Sequence, residues 1–203
     1  MPESIDLVEA ALLEPLACAA GALCDPPIVN PGDRVLVTGP GAIGLFAAQI
    51  ARAAGGDVVL SGREADGQRL AIGSQLGLTT HVSGRELTDM IEEFDVVIEC
   101  AGAAAAAATC LAAVKRQGHY VQLGLFSKPV PIDMNAVCLK DLTVTSGFGA
   151  TPSGFRRAIR LAALGKVELR PLITRQASLS EWEDVFASTR RGDGVKFLFT
   201  PTR

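Results

Sequence analysis

The sequence has little of the chemistry that marks a metal site, a disulfide framework or a redox pair. It contains two histidines and five cysteines, with no CxxC pair and no repeated cysteine spacing. No cluster of metal ligands is therefore visible in the sequence. An odd number of unpatterned cysteines is typical of reduced, mostly buried thiols, and this predicts a cytoplasmic protein.

Long apolar runs and clusters of basic residues are also missing. The apolar runs are interrupted by glycine and are too short to span a bilayer, and residues 1–24 lack the basic start and leucine-rich core of a signal peptide. The formal net charge of -3 offers no positive field to a nucleic acid. We therefore expect no membrane and no nucleic-acid partner. Hydrophobic residues make up 48% of the chain, which predicts a globular fold with a substantial core.

The sequence does contain a regular alternation of strand and helix patterns. Short β-branched runs occupy residues 34–38, 57–61, 95–99, 119–123 and 142–145. Helix patterns rich in alanine and leucine lie between the first four, at residues 42–54, 66–76 and 104–115. This alternation predicts an α/β fold of the Rossmann type, a doubly wound parallel sheet of about six strands with helices on both faces. Two later strand patterns, 172–174 and 195–199, are expected to complete the sheet.

The stretch VLVTGPGAIGLFAAQ carries glycines in a GxGxxG pattern at Gly39, Gly41 and Gly44. The pattern follows an apolar strand and opens a helix, as in a dinucleotide-binding βαβ unit. Gly39 suits a tight turn, Gly41 a close approach of backbone to pyrophosphate, and Gly44 close packing of helix on strand. The free amides at the helix start attract phosphate. The stretch therefore predicts a phosphate-binding loop.

The choice of nucleotide depends on the end of the second strand, which reads VLSGR. An NAD site usually has Asp or Glu here to bind the ribose hydroxyls, and Gly62 occupies that position. Arg63 can bind a 2′-phosphate bidentately, and Arg69 is a second cation nearby. Glu64 or Asp66 could serve the ribose of NAD instead. The sequence predicts NADP as cofactor and leaves NAD open.

Several stretches together resemble the zinc-type medium-chain dehydrogenases, in particular the sorbitol (polyol) and threonine dehydrogenase branch. The matching stretches are AALLEPLACAAGAL, GDRVLVTGPGAIGLFAAQIARAAG, DVVIECAG, GHYVQLGL and GKVELRPLITRQASLSEWEDVF. The resemblance implies an NAD(P)-dependent alcohol dehydrogenase that transfers hydride between a secondary alcohol or polyol and nicotinamide, with zinc polarising the alcohol oxygen. It also implies a homo-oligomer formed through an edge strand at residues 142–147.

The resemblance assigns roles along the chain. The glycine loop would hold the pyrophosphate, residues 61–69 the adenosine ribose, the end of the fourth strand the adenine side, and two later strand ends the nicotinamide carboxamide. The cofactor-binding residues implied are Gly39, Gly41, Ala42, Ile43, Gly44, Ser61, Gly62, Arg63, Arg69, Cys100, Ala101, Gly102, Leu123, Gly124, Leu125, Ser146, Gly147 and Phe148. Glu14, in the EPL tripeptide, would face the catalytic zinc or its water. Its alternative role is that of a helix-start carboxylate favoured by the helix dipole.

The family carries its remaining zinc ligands and its proton relay in an amino-terminal, β-rich domain. This sequence starts just before the EPL helix, so we expect that catalytic zinc domain to be absent. Residues 1–31 would form a helical lead-in and connector, and residues 32–203 the dinucleotide-binding domain. The chain alone is then expected to bind cofactor with little or no turnover. Two alternatives stay open, a stand-alone NADP(H)-binding module that senses redox state and a zinc-free relative of the quinone reductases.

Overall fold

Six parallel strands form the main sheet of this protein, described from a computed structural model for residues 2–83 and 91–201. The strands are β1 (Arg34–Thr38), β2 (Asp57–Gly62), β3 (Thr79–Val82), β4 (Phe94–Glu99), β5 (Val114–Gln122) and β6 (Thr143–Ser146). Their order is β3-β2-β1-β4-β5-β6, and every neighbouring pair is parallel. The direction of winding reverses between β1 and β4, so the sheet is doubly wound and the fold prediction is confirmed.

Helices cover both faces of this sheet. They are α1 (Leu7–Ala10), α2 (Leu13–Cys24), α3 (Ala42–Ala53), α4 (Gly67–Gln75), α5 (Ala104–Ala113), α6 (Met134–Leu139), α7 (Pro152–Ala163) and α8 (Trp182–Arg191). Along β1, Val35 and Val37 belong to the core cluster that includes α2 and α3, whereas Leu36 belongs to the opposite cluster with Leu111 of α5. Because both faces are buried at the centre of the sheet, the central strands β1 and β4 read as nearly continuous apolar runs. No helix in the described part of the chain is long and apolar enough to cross a membrane.

The lead-in helices pack into the same core. Pro15 lies in the first turn of α2, where its missing N–H has no partner to lose, so residues 7–24 form two short helices as the sequence predicts. On α2, Leu16 and Ala17 are fully buried. A Cβ at Gly154 of α7 would lie less than 3.0 Å from the carbonyl oxygen of Ala17. The close crossing of α2 and α7 therefore requires glycine at residue 154.

The expectation that the last two strands complete the sheet is wrong. Within the described part of the chain, strands β7 (Ile173–Ser178) and β8 (Lys196–Thr200) pair with each other and not with the main sheet, in a separate two-stranded parallel sheet. Neither strand is buried along its whole length, and the burial of β7 largely alternates between half-buried and exposed positions, as in a sheet covered on one face. The sixth strand of the main sheet is instead β3, a short TTHV run that is β-branched but too short and too polar to stand out in the sequence.

Candidate functional site

A cleft of about 510 Å³ opens at the carboxyl ends of β1, β2 and β4. It lies where the strand order reverses, the place at which doubly wound sheets bind ligands. The lining residues come from the glycine turn, the end of β2, the start of α4 and the first turns of α5. They are Thr38, Gly39, Pro40, Gly41, Ser61, Gly62, Arg63, Asp66, Arg69, Ser83, Cys100, Ala101, Ala103, Ala105, Ala106 and Thr109.

The three glycines of the loop have different surroundings. Gly39 has φ +91°, and a Cβ there would lie 2.7 Å from the backbone nitrogen of Ala101. A Cβ at Gly44 would collide with the carbonyl oxygen of Gly39, so at residue 44 the helix α3 packs directly on the glycine turn. A Cβ at Gly41, by contrast, would meet no atom within 4 Å. The chain's own packing thus requires Gly39 and Gly44, whereas Gly41 faces open space in the cleft.

The amino terminus of α3 points its free amides toward the same space. Gly41 is its N-cap residue, and no side chain caps the helix. The first hydrogen bond inside the helix runs from the Leu45 amide to the Gly41 carbonyl, at 2.9 Å. The amides of Ala42 and Ile43 therefore have no partner within the helix. This end of a twelve-residue helix carries a partial positive charge suited to an anion.

Three charged residues line the opposite side of the cleft. The Arg63 side chain is 78% exposed, and its Nε donates to Asp66 Oδ2 at 3.0 Å. Arg69 is anchored by its Nε to the Gly194 carbonyl at 2.7 Å, and its Nη1 lies 3.8 Å from Asp66 Oδ1. Two guanidinium groups thus share one carboxylate. The cluster Arg63–Asp66–Arg69 therefore carries a net charge of about +1 at neutral pH.

The carboxylate of Asp66 is held in this cluster by its contacts with the two arginines. Burial acts to raise its pKa, but hydrogen bonds from Arg63 and the charge of Arg69 outweigh burial, so the pKa lies below the usual value. The same hydrogen bond raises the pKa of Arg63. Glu64, the other carboxylate considered for the ribose, is exposed and does not line the cleft. Of the two acidic residues near β2, only Asp66 lies at the cleft, and it already binds an arginine.

The residues assigned to the nicotinamide lie at the carboxyl ends of β5 and β6. This is the same edge of the sheet, but none of them is among the residues that line the cleft. A Cβ at Gly124 would lie less than 3.0 Å from Glu99 Oε2 and from the Gly102 amide. A Cβ at Gly147 would lie equally close to Ala22 of α2. These glycines are explained by close packing within the chain.

The remaining assigned residues are side chains and backbone positions at the same two strand ends. Leu123 and Ser146 lie at or just past the ends of β5 and β6, while Leu125 and Phe148 are 71% and 84% exposed. Gly102 has φ +63°, and a Cβ there would collide with the carbonyl of Leu125. The loop after β4 and the loop after β5 are therefore in close contact. The apolar side chains of Leu125 and Phe148 face solvent.

Glu14 lies apart from the cleft residues, exposed in the first turn of α2. Its Oε1 accepts a hydrogen bond from Cys18 Sγ at 3.3 Å. Burial, followed by this carboxylate, raises the pKa of the Cys18 thiol to about 11. Within residues 2–83 and 91–201, no three His, Cys, Asp or Glu side chains come together to hold a metal ion. The described residues alone therefore supply no complete set of zinc ligands, and Glu14 lies in the first turn of α2, a position that either of its two predicted roles allows.

Eight residues that line the cleft were not predicted as site residues from the sequence. Thr38 ends β1, so the rule that ligands bind at the carboxyl ends of strands would have found it, whereas Ser83 directly follows β3, a strand that the sequence patterns did not include. Ala105, Ala106 and Thr109 share one face of α5, at helical spacing. The others are Pro40, Asp66 and Ala103. A strand's end position is thus the signal that sequence reasoning left unused.

The fold and the cleft define a domain of the Rossmann type. The family model described as "Zinc-binding dehydrogenase" matches residues 42–163, more than half of the chain. The protein therefore belongs to the zinc-binding dehydrogenase family, and the resemblance seen in the sequence is confirmed.

Individual members of the family are similar to this chain over nearly its whole length. A sorbitol dehydrogenase of Halalkalibacterium halodurans is 33% identical over 99% of this chain and 61% of its own length. A D-arabitol-phosphate dehydrogenase of Enterococcus avium is 29% identical over 98% and 59%. A crystal structure assigned as a zinc-binding dehydrogenase of Sinorhizobium meliloti 1021, bound to NADP, is 32% identical with a TM-score of 0.86, covering 99% of this chain and 61% of that one. The chain thus spans about 60% of the length of these relatives.

Proposed function

We propose that this chain is the cofactor-binding portion of a zinc-dependent alcohol or polyol dehydrogenase. The observation that carries the proposal is the cleft at the reversal of strand order, with free helix amides on one side and an arginine-rich cluster on the other. The relatives named sorbitol dehydrogenase and D-arabitol-phosphate dehydrogenase support a polyol as substrate of the whole enzyme. The nicotinamide cofactor, when bound, accepts or donates the hydride.

The chain's own residues would bind and orient the dinucleotide. The pyrophosphate would lie over Gly41, where the cleft is open, and accept hydrogen bonds from the amides of Ala42, Ile43 and Gly44. The adenosine ribose would lie against Ser61 and the arginine cluster. The small side chains on the first turns of α5 would leave room for the adenine ring. Residues 123–125 and 146–148, farther along the same sheet edge, would then face the nicotinamide.

The cofactor would be NADP in preference to NAD. Among the described residues that line the cleft beside β2, none offers a free carboxylate, because Asp66 is bound to Arg63 and held near Arg69. The exposed Arg63 guanidinium can turn toward a 2′-phosphate and bind it with two parallel hydrogen bonds. The relative bound to NADP, at 32% identity, supports this preference.

The residues that activate the alcohol would belong to the part of the complete enzyme that lies outside the stretch matched by this chain. We propose residues 1–31 as lead-in and connector and residues 32–203 as the cofactor domain, with zinc held by the remaining domain of the complete enzyme. Glu14 would then face that zinc across the domain boundary, which its exposed position permits. The five cysteines, all free of disulfides, support a reducing, cytoplasmic location.

The complete enzyme would assemble through the edge of its main sheet. Strand β6 is the last strand in the sheet order, and Val144 on it is 51% exposed. A second copy of β6 could pair there across a two-fold axis. Replacing Val144 with lysine should then lower the mass seen by analytical ultracentrifugation from dimer to monomer. An unchanged mass would contradict this assembly.

A fluorescence titration of the purified chain with NADPH and with NADH tests the cofactor proposal. We expect saturable binding of both, tighter for NADPH, and little or no oxidation of sorbitol by the isolated chain with NADP. Saturable binding with the opposite preference would overturn the NADP assignment. Absence of binding by either nucleotide would overturn the cofactor-binding function itself.

A further inference from the structure

A fully buried carboxylate, Glu99, lies between two loops of the candidate cofactor site. It is the last residue of β4 and has no exposed surface. Its Oε1 accepts hydrogen bonds from the amides of Ala101 and Gly102, both at 2.9 Å. Its Oε2 accepts from the Gly102 amide at 3.1 Å and from Gln122 Nε2 at 2.6 Å. Among the described residues, these contacts to Glu99 include no cationic side chain.

The orientation of Gln122 shows which charge state of Glu99 these contacts fit. Besides Glu99, Gln122 Nε2 donates to the Gly124 carbonyl at 2.7 Å, and Gln122 Oε1 accepts from the Tyr120 hydroxyl at 2.6 Å. The amide therefore turns its NH₂ group toward Glu99. Every group facing the carboxylate in these hydrogen bonds is an N–H donor. An ionised carboxylate satisfies them all, whereas a protonated one would set an O–H against a donor.

Backbone hydrogen bonds at Glu99 connect the same two loops. The Glu99 carbonyl accepts from the amides of Leu123 and Gly124, each at 2.8 Å. Gly124 packs so closely on the carboxylate and on Gly102 that no Cβ would fit. These contacts fix the loop at residues 100–102 against the turn at residues 122–124.

The loop at residues 100–102 also contacts the glycine turn. Ala101 lies where a Cβ on Gly39 would collide, and the Cys100 amide donates to the Thr38 carbonyl at 2.9 Å. Cys100 and Ala101 both line the cleft. A displacement of this loop would therefore change both the wall of the cleft and the start of the phosphate-binding turn.

We infer that Glu99 is a positioning residue for cofactor binding, whose ionised carboxylate holds the loops at residues 100–102 and 122–124 in the arrangement that receives the dinucleotide. This inference rests on the proposed function. Glu99 would touch no part of the ligand and would act through the backbone of Ala101 and Gly102. Its effect is therefore expected on the dissociation constant of the cofactor.

A pH dependence follows from this role. Burial raises the pKa of Glu99. The other titratable groups around it are Cys100, Cys110 of α5 and Tyr120 of β5, and burial raises the pKa of each above its usual value. Glu99 is thus the member of this group that changes charge as the pH falls from neutral. Protonation would remove an acceptor from the donors that surround it, so cofactor affinity should weaken toward acidic pH.

Glu99→Gln tests the inference, with NADH titrated by fluorescence between about pH 8 and about pH 5. NADH is the probe because it lacks the 2′-phosphate, whose own pKa of about 6 would overlap the titration. We expect the variant to bind NADH on the order of tenfold more weakly at pH 8, because an NH₂ group would face N–H donors. Its affinity should no longer depend on pH, while that of the unaltered chain should weaken as the pH falls.

The matched control is Gln49→Leu. Gln49 is also fully buried, and its side-chain hydrogen bonds to the described residues go to the backbone of Glu168, at 2.8 and 3.2 Å, away from the cleft. The Gln49→Leu variant should have a lower thermal unfolding temperature than the unaltered chain but the same NADH affinity. Equal NADH affinity in Glu99→Gln and the unaltered chain, or equal losses in Glu99→Gln and Gln49→Leu, would overturn the inference alone. No NADH binding by the unaltered chain would overturn the proposed function together with it.

Tyr120→Phe keeps the test decisive if Glu99→Gln does not fold. This change removes only the hydroxyl that orients Gln122. NADH affinity should fall about threefold, in line with the loss of one hydrogen bond. An unchanged affinity in a folded Tyr120→Phe protein would count against the inference.

Discussion

The two walls of the cleft use a carboxylate in opposite ways. Beside β2, Asp66 is shared by Arg63 and Arg69, and the Arg63 side chain is largely in solvent. Beside β4, Glu99 is fully buried and is held by two backbone amides and the side-chain amide of Gln122. The first wall therefore presents solvent-exposed positive charge to a ligand. The second presents a fixed surface built from neutral donors.

This difference gives the two walls different expected roles: the β2 side selects between nucleotides, and the β4 side maintains the shape of the cleft. The Arg63 side chain is largely in solvent and Asp66 keeps Arg69 as a second partner, so Arg63 can exchange this carboxylate for a phosphate at little cost to the fold, about 0–1 kcal/mol for a solvent-screened pair. Removing one partner from a buried hydrogen-bonded group costs about 1–3 kcal/mol, because the other partner stays buried. Substitutions on the β2 side should therefore change which nucleotide binds. Substitutions on the β4 side should change stability and the affinity for any nucleotide.

The largest effect is expected at Gly124, on the buried wall. Gly124→Ala would place a methyl group against Glu99 Oε2 and the Gly102 backbone, neither of which can move freely. We expect a loss of about 3 kcal/mol in the free energy of unfolding, measured by urea denaturation. Gly67→Ala is the control, since an added Cβ there meets no atom within 4 Å. It should match the unaltered chain or exceed its stability slightly, and equal stability of both variants would contradict the packing described for Gly124.

A second change, at Gly41, should weaken cofactor binding strongly and alter the stability of the fold only slightly. Gly41→Val would fill open cleft space, so we expect NADPH affinity to fall by about 2 kcal/mol, or roughly thirtyfold. The free energy of unfolding should change by only about 1 kcal/mol, as for an altered N-cap residue. Parallel calorimetric titration and urea denaturation would measure the two quantities. Undiminished binding by this variant would show that the pyrophosphate does not approach Gly41.

Arg63→Ala tests whether the β2 side of the cleft selects between NADPH and NADH. NADPH binding should weaken about tenfold, whereas NADH binding should stay the same, because only NADPH carries the phosphate that Arg63 would bind. Arg157→Ala is a suitable control, since Arg157 forms a comparable pair with Asp25 at 3.2 Å on α7. Its NADPH affinity should equal that of the unaltered chain. Equal weakening of NADH and NADPH by Arg63→Ala would contradict a role in selectivity.

The smallest effect is expected from Asp66→Asn. Removing the carboxylate frees both arginines, so NADPH affinity should rise about threefold. Because folding lowers the pKa of Asp66, its ionised form stabilises the fold above the ordinary pKa of 3.8, and this contribution is lost as the pH falls through the lower folded value. The variant should therefore be about 1 kcal/mol less stable at pH 7 and nearly equal in strong acid. A stability difference that persisted unchanged in acid would contradict this ion pairing.

Local patterns predicted most of the fold and one wall of the site. The β1 strand, the glycine turn and α3 lie within one continuous stretch, so their periodicity and spacing could be interpreted without knowing distant contacts. The end of β2, with Gly62 and Arg63, was interpretable for the same reason. The pairing of β7 with β8 was not, because the strength of a strand pattern does not say which strand is its neighbour.

The buried wall depends on contacts between distant residues. Glu99 and Gln122 are 23 positions apart and meet only because β4 and β5 are neighbours in register. In the sequence, Glu99 ends an apolar strand, and its burial could not be anticipated from composition. Gly102 was assigned to the adenine side and Gly124 to the nicotinamide, whereas the close packing of Gly102 on Leu125 and of Gly124 on Glu99 already explains both glycines. The sequence pattern indicated these loops but not the contact that fixes them.

The most direct test is a crystal structure of this chain with NADP. The account predicts the pyrophosphate over Gly41 and the amides of Ala42 and Ile43, with the 2′-phosphate bound by the Arg63 guanidinium. Glu99 should keep its bonds to Ala101, Gly102 and Gln122 and stay out of contact with the ligand. A ribose held by Glu64 or Asp66, with Arg63 turned away, or a nucleotide bound outside the cleft, would contradict it.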